Sequence, residues 1–126
     1  MKLNPDLIRN ILIAVSDSLS PDEDGNVTQI SPIDLAENEL VSYPQNEVLY
    51  WTRQLLDSGI LIEGSRYVDE SIPRIKDLSF TGYQFVENTS KPAVWEKIRT
   101  QLLGMVISNL PYIIRYAIEA GSAFIS

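Results

Sequence analysis

The chain has 126 residues, 44% of them hydrophobic, which suits one domain with one core and leaves little room for a second. It contains neither Cys nor His, so disulfides, thiolate metal sites and any Ser-His-Asp or Cys-His triad are excluded, and a reducing compartment is expected. The net charge of −7 is uneven: residues 1–63 carry three basic against eleven acidic side chains, a balance of −8, and residues 64–126 seven against six, a balance of +1.

The N-terminal segment turns acidic at Asp6 before any apolar run, which does not fit a secretory signal. Asn4 followed by Pro5 is a helix start, with Asn as cap and Pro at the first helical position. Leu7, Ile8, Ile11, Leu12 and Val15 then recur at helical spacing, so the first helix is predicted to run to about Asp17 with one face buried. Residues 20–26 form a polar turn. Its Asp22, Asp24, Gly25 and Val27 resemble the middle of a calcium loop, but Ser20 and Ser31 stand where the first carboxylate and the bidentate Glu belong, so no metal is assigned.

Residues 27–31 favour a short first strand. Pro32 to Leu40 reads as a short second helix, from Ile33, Leu35, Ala36 and Leu40, although an extended edge segment also fits. Ser42 and Gln45 have capping-box spacing ahead of a third helix, with Pro44 at its first position as the other possible start. In that helix, read as Glu47 to Ser58, Val48, Thr52, Leu55 and Leu56 make the apolar stripe, and Gly59 can close it in a left-handed conformation. Ile60 to Ile62 changes to strand periodicity. A polar, irregular loop from Glu63 to Pro73 leads to a second strand, Arg74 to Leu78.

Ser79 can cap a helix over Phe80 to Asn88. Pro92 opens another, with Val94, Trp95, Ile98 and Leu102 on one face and Gly104 at its end. Asn109 and Pro111 mark a last helix carrying Ile113, Ile114, Ala117 and Ile118, with Gly121 close to its end. That apolar stripe is read as partly a self-association surface. The apolar region from Leu102 to Ile125 is interrupted by Gly104, Asn109, Pro111, Arg115 and Glu119, so no membrane span is expected.

Helix, glycine, strand, loop, strand is the second half of a winged helix-turn-helix. The expected fold is α+β, mainly α: a single domain over 1–126, with a winged-helix core at about 4–80, a small antiparallel sheet, and a C-terminal helical extension at about 80–126. Nine of the eleven aromatic residues, Tyr50, Trp51, Tyr67, Phe80, Tyr83, Phe85, Trp95, Tyr112 and Tyr116, are read as mostly core.

Catalysis is not expected. Glu37, Glu39 and Glu47 read as a solvated acidic face, and Gly64-Ser65-Arg66 and Gly121-Ser122 lack the context of a nucleophile elbow or phosphate loop. No cofactor is assigned. If the protein reads DNA, its contacts are Arg53 on the third helix and Arg66, Arg74 and Lys76 around the wing, each offset by a neighbour among Glu47, Asp57, Glu63, Asp69, Glu70 and Asp77. If it binds a protein, the candidates are Tyr50, Trp51 and Arg53. Tyr50 and Trp51 point about 100° apart on a helix, so equal burial is not expected, and whichever is exposed is the candidate contact. A protein partner or a second copy is preferred over DNA, and a soluble, cytoplasmic protein is expected.

The segments Leu7-Ile8-Arg9-Asn10-Ile11-Leu12, Glu47-Val48-Leu49-Tyr50-Trp51, Leu55 to Leu61, Leu78 to Val86 and Trp95-Glu96-Lys97 together resemble domain-of-unknown-function family 2513, over nearly the whole chain including the Leu110-Pro111-led helix. The resemblance implies a winged-helix-like fold and a phage or prophage origin in a bacterial host, without an established activity. Relatives often carry His where this chain has Trp51 and Tyr83, positions read here as packing.

Overall fold

Asn4 caps the first helix as its sequence demands, its Oδ1 accepting from the Leu7 N–H at 3.2 Å ahead of Pro5. A computed structural model describes residues 2–104 and 109–125. Among these the chain forms six helices and a two-stranded antiparallel sheet, in the order α1 (Pro5–Ser18), α2 (Pro32–Glu37), α3 (Gln45–Asp57), β1 (Leu61–Glu63), β2 (Ile75–Leu78), α4 (Phe80–Asn88), α5 (Pro92–Leu103) and α6 (Leu110–Ile125). The α+β, mainly α class read from the sequence holds.

The stripe Leu7, Ile8, Ile11, Leu12 and Val15 is wholly buried, and α1 packs on α3, α4, α5 and β2. It is the rod around which the core forms, because its apolar arc is wide enough to face several elements at once. Residues 32–37 form the helix, and turns follow over 38–40. Ser31 caps α2 by accepting from the Asp34 N–H, and Leu35, Ala36 and Leu40 enter the core.

The start of α3 differs from the sequence reading. Ser42 makes no cap: tight turns from Asn38 to Tyr43 carry the chain to Pro44, which sits at the cap itself and accepts through its carbonyl from the Glu47 and Val48 N–H groups. The far end follows expectation. Gly59 takes φ +75°, and the Gly59 and Ile60 N–H groups bond back to the Leu56 and Leu55 carbonyls, which turns the chain straight into β1.

β1 and β2 pair as Leu61↔Leu78, Ile62↔Asp77 and Glu63↔Ile75, with an irregularity between Ile62 and Glu63. The strand expected at 27–31 is not formed as a strand. Ile30 alone exchanges both backbone bonds with Ile75, and Val27 closes the preceding turn against Pro21. Val27 and Thr28 are exposed, and the Gln29 side chain is drawn instead to the Ser65 N–H at 2.8 Å, so nothing extends the ladder.

α4 and α5 form as read, with Ser79 Oγ accepting from the Gly82 N–H and with Val94, Trp95, Ile98 and Leu102 buried. Gly121 lies in the last turns of α6, close to its end as read, and faces Asn88 so closely that a Cβ there would be 2.3 Å from the Asn88 carbonyl oxygen. Ile113, Ile114 and Ala117 are buried within the chain, where α6 packs on α4 and α5, and Ile118 is half-buried, so most of the stripe read as partly a self-association surface is covered by the chain itself. Its apolar excess is taken up by two neighbouring helices.

The aromatic residues are also less internal than their size suggests. Trp51, Phe85 and Trp95 are buried, whereas Tyr50, Tyr67, Phe80, Tyr83 and Tyr112 are exposed. Residues 105–108 of the apolar C-terminal stretch lie outside the described residues. Among those described, no helix is long and apolar enough to cross a membrane.

Candidate functional site

The outer face of α3 and the loop 64–74 lie together, joined by Arg53, whose guanidinium donates to the Ser71 carbonyl. Of the adjacent pair on α3, Tyr50 is the exposed ring and Trp51 the buried one. They meet edge to face with centroids 5.0 Å apart. Trp51 is therefore a core residue and not the contact the sequence allowed it to be, while Tyr50 remains on the surface with Arg53.

The loop holds its own arginines. Arg66 makes a forked pair with Glu63, Nε to Oε1 and Nη2 to Oε2. Arg74 bonds Glu70 Oε1 at 3.1 Å while lying 4.9 Å from the Tyr67 ring centroid. The hydrogen bonds that Arg66 and Arg74 donate to Glu63 and Glu70, respectively, are the main cause that raises their affinity for their protons. Lys76, the fourth candidate cation, belongs to a different neighbourhood. It lines a shallow hollow of about 310 Å³ with residues of the 25–29 segment and makes no ion pair among the described residues.

Further acidic side chains are engaged by the fold. Asp77 Oδ1 accepts from the Tyr83 hydroxyl at 2.6 Å and from the Leu78 N–H, and it raises the Tyr83 pKa above its ordinary value, chiefly through that hydroxyl hydrogen bond. In the 20–26 turn, Asp22 Oδ1 accepts from the Asp24 and Asn26 N–H groups while Gly25 takes φ +80°. That carboxylate holds the turn. Among the described residues no group of three or more Asp and Glu could hold a metal ion.

The aromatic and apolar groups open to a partner on this face are Tyr50 on α3 and Tyr67 and the fully exposed Val68 in the loop, beside the exposed charges of Arg53, Arg66 and Asp69. Sequence reasoning named Tyr50 and the four cations but missed Tyr67 and Val68. No periodicity marks an exposed apolar residue in an irregular loop.

The pattern that defines the family described as "Hypothetical protein (DUF2513)" matches residues 2–104. The chain belongs to this family. The match contains α1 to α5 and the sheet, and α6 lies beyond it, so the family pattern covers less than the sequence resemblance implied. Comparison with curated proteins and with solved structures found no match.

Proposed function

We propose that this member of DUF2513 is a non-catalytic winged helix-turn-helix protein that acts by binding another macromolecule through α3 and the 64–74 wing, and that this macromolecule is a protein. The order of elements supports the architecture: α1, an edge at Ile30, α2, α3, β1, the loop and β2, with β2 between Ile30 and β1.

One observation carries the choice of partner: the arginines of this face already have partners of their own. Phosphate would have to displace Glu63 from Arg66, Glu70 from Arg74 and the Ser71 carbonyl from Arg53, and each displaced carboxylate would stay nearby as a repelling charge. A protein surface asks for less. It can cover Tyr50, Tyr67 and Val68, and exposed aromatic anchors are the usual centre of such contacts. The phage or prophage origin implied by the resemblance accords with a small adaptor that acts on a component of a bacterial cytoplasm.

The second reading is a DNA-binding regulator, favoured by the winged-helix order and by Lys76, which makes no ion pair among the described residues. Photo-crosslinking from position 50 in the producing cell separates the two. A protein adduct that is lost when the crosslinker is moved to Asp24 supports the first reading, and a nucleic-acid adduct replaces it with the second.

A further inference from the structure

A cleft of about 440 Å³ opens where the α3–β1 junction, α4 and α6 meet, away from the wing. Its volume is in the range of about 300–1,000 Å³ usual for small-molecule sites. Ile60 and Ile114, both buried, form an apolar floor with the half-buried Ile118, and Thr81 and Gln84 of α4 supply polar groups on one side. Arg115 and Glu119 of α6 stand on the other.

Those two charges set the cleft apart. Arg9 donates to the Thr89 and Ser90 carbonyls, Arg53 to Ser71, and Arg66, Arg74 and Arg99 to carboxylates. Arg115 is the one arginine that makes no hydrogen bond or ion pair with any described residue. Glu119, one helical turn away, makes no ion pair either, although i,i+4 residues share a helix face. An Arg that precedes a Glu at this spacing has the weaker orientation for pairing, which leaves both groups available. A hollow of about 450 Å³ beside α1 offers Asp17 and Glu39 with no cation and lacks this complementarity.

We propose that this cleft binds a small zwitterion with an aliphatic body, of the class of the branched aliphatic amino acids. The ligand carboxylate takes the forked guanidinium of Arg115, its ammonium takes Glu119, and its side chain covers Ile60, Ile114 and Ile118. Opposite charges at the rim over an apolar floor select a molecule that carries both charges at one end.

The test is an amide-resolved NMR titration of the isotope-labelled full chain with L-leucine, with L-leucinamide, which lacks the carboxylate, and with 4-methylpentanoate, which lacks the ammonium. L-leucine should give saturable shifts at Ile60, Thr81 and Gln84, and each analogue should bind about tenfold more weakly. Arg115→Ala should remove the preference for leucine over leucinamide, and Glu119→Gln the preference over 4-methylpentanoate. Both side chains are exposed, so both variants retain the fold. Absence of saturable shifts with L-leucine at millimolar concentration, shifts confined to other regions, or equal binding of leucinamide overturns the proposal.

Discussion

The indole Nε1 of Trp95 donates to Asp6 Oδ1 at 2.8 Å, across 89 residues of sequence. The other oxygen of the same carboxylate meets Arg99 at 3.3 Å, and the Arg9 guanidinium lies 5.3 Å from the centroid of the Trp95 ring while it donates to the Thr89 carbonyl. Burial lowers the Arg9 pKa, opposed by the Asp6 charge. This cluster fastens the start of α1 to α5, and the Trp95 ring also packs edge-on against Phe85.

Trp95→Ala should therefore cost about 3–5 kcal/mol, since it opens a cavity and leaves Asp6 with one partner fewer. The two buried tryptophans should respond differently to Phe. Trp95→Phe also loses a hydrogen bond worth about 1 kcal/mol, whereas Trp51 Nε1 is buried with no hydrogen-bond partner among the described residues, so Trp51→Phe removes an unsatisfied donor and costs less. Urea denaturation of the two variants checks the order; equal or reversed losses would contradict it.

Gly121→Ala sets two effects against each other. Helix propensity favours Ala by about 1 kcal/mol in a helix interior. The new Cβ would lie 2.3 Å from the Asn88 carbonyl oxygen, a backbone atom that cannot swing aside, and the Asn88 side chain also donates to the Ile118 carbonyl at 3.2 Å. Overpacking of this kind costs about 1–3 kcal/mol, so the net change should be destabilising. A rise in melting temperature would show that α6 does not approach α4 this closely.

Tyr83 supplies an alkaline signature. Its hydrogen bond to Asp77 raises the folded-state pKa, so its contribution to stability is complete below the ordinary tyrosine value of about 10 and is lost as pH rises through the higher folded value. Tyr83→Phe should remove that part of the alkaline loss of stability and leave the rest of the profile in place. Denaturation midpoints measured from neutral to strongly alkaline pH give the comparison, and superimposable losses in both proteins would refute it.

Most helix positions were legible because each has a local cause: Asn4 and Ser79 as caps, Pro5 and Pro92 at first turns, Gly59 as a left-handed stop. The failures are tertiary. Ser42 has capping-box spacing, yet the turns before Pro44 decide where α3 begins. Gly121 sits near the end of α6 as read, but its close contact with Asn88 is one that no local pattern reveals. Of the candidate site, the identity of the cations could be read, but their pairing could not. Glu63–Arg66 and Glu70–Arg74 have helical spacings, i,i+3 and i,i+4, but lie at the end of β1 and in the loop that follows, where spacing carries no geometric guarantee. Arg115 and Glu119 gave no signal, because a cleft between α4 and α6 exists only after packing.

Freeing the arginines of the 64–74 loop should move the protein toward nucleic acid. Glu63→Gln with Glu70→Gln removes the carboxylates that hold Arg66 and Arg74 and shifts the net charge by two units, from −7. The double variant should bind random duplex DNA detectably better than the parent at low salt, with a steeper salt dependence. Unchanged binding would mean that these pairs do not mask the loop arginines.

The most direct test of the account is fluorescence anisotropy of the unmodified protein on a random DNA duplex at two salt concentrations. With Arg53, Arg66 and Arg74 already engaged and the first 63 residues at −8, no binding tighter than about 10 µM is expected at about 150 mM salt. Tighter binding that weakens steeply as salt rises would contradict the claim that α3 and its wing meet a protein, and would make the chain a DNA reader.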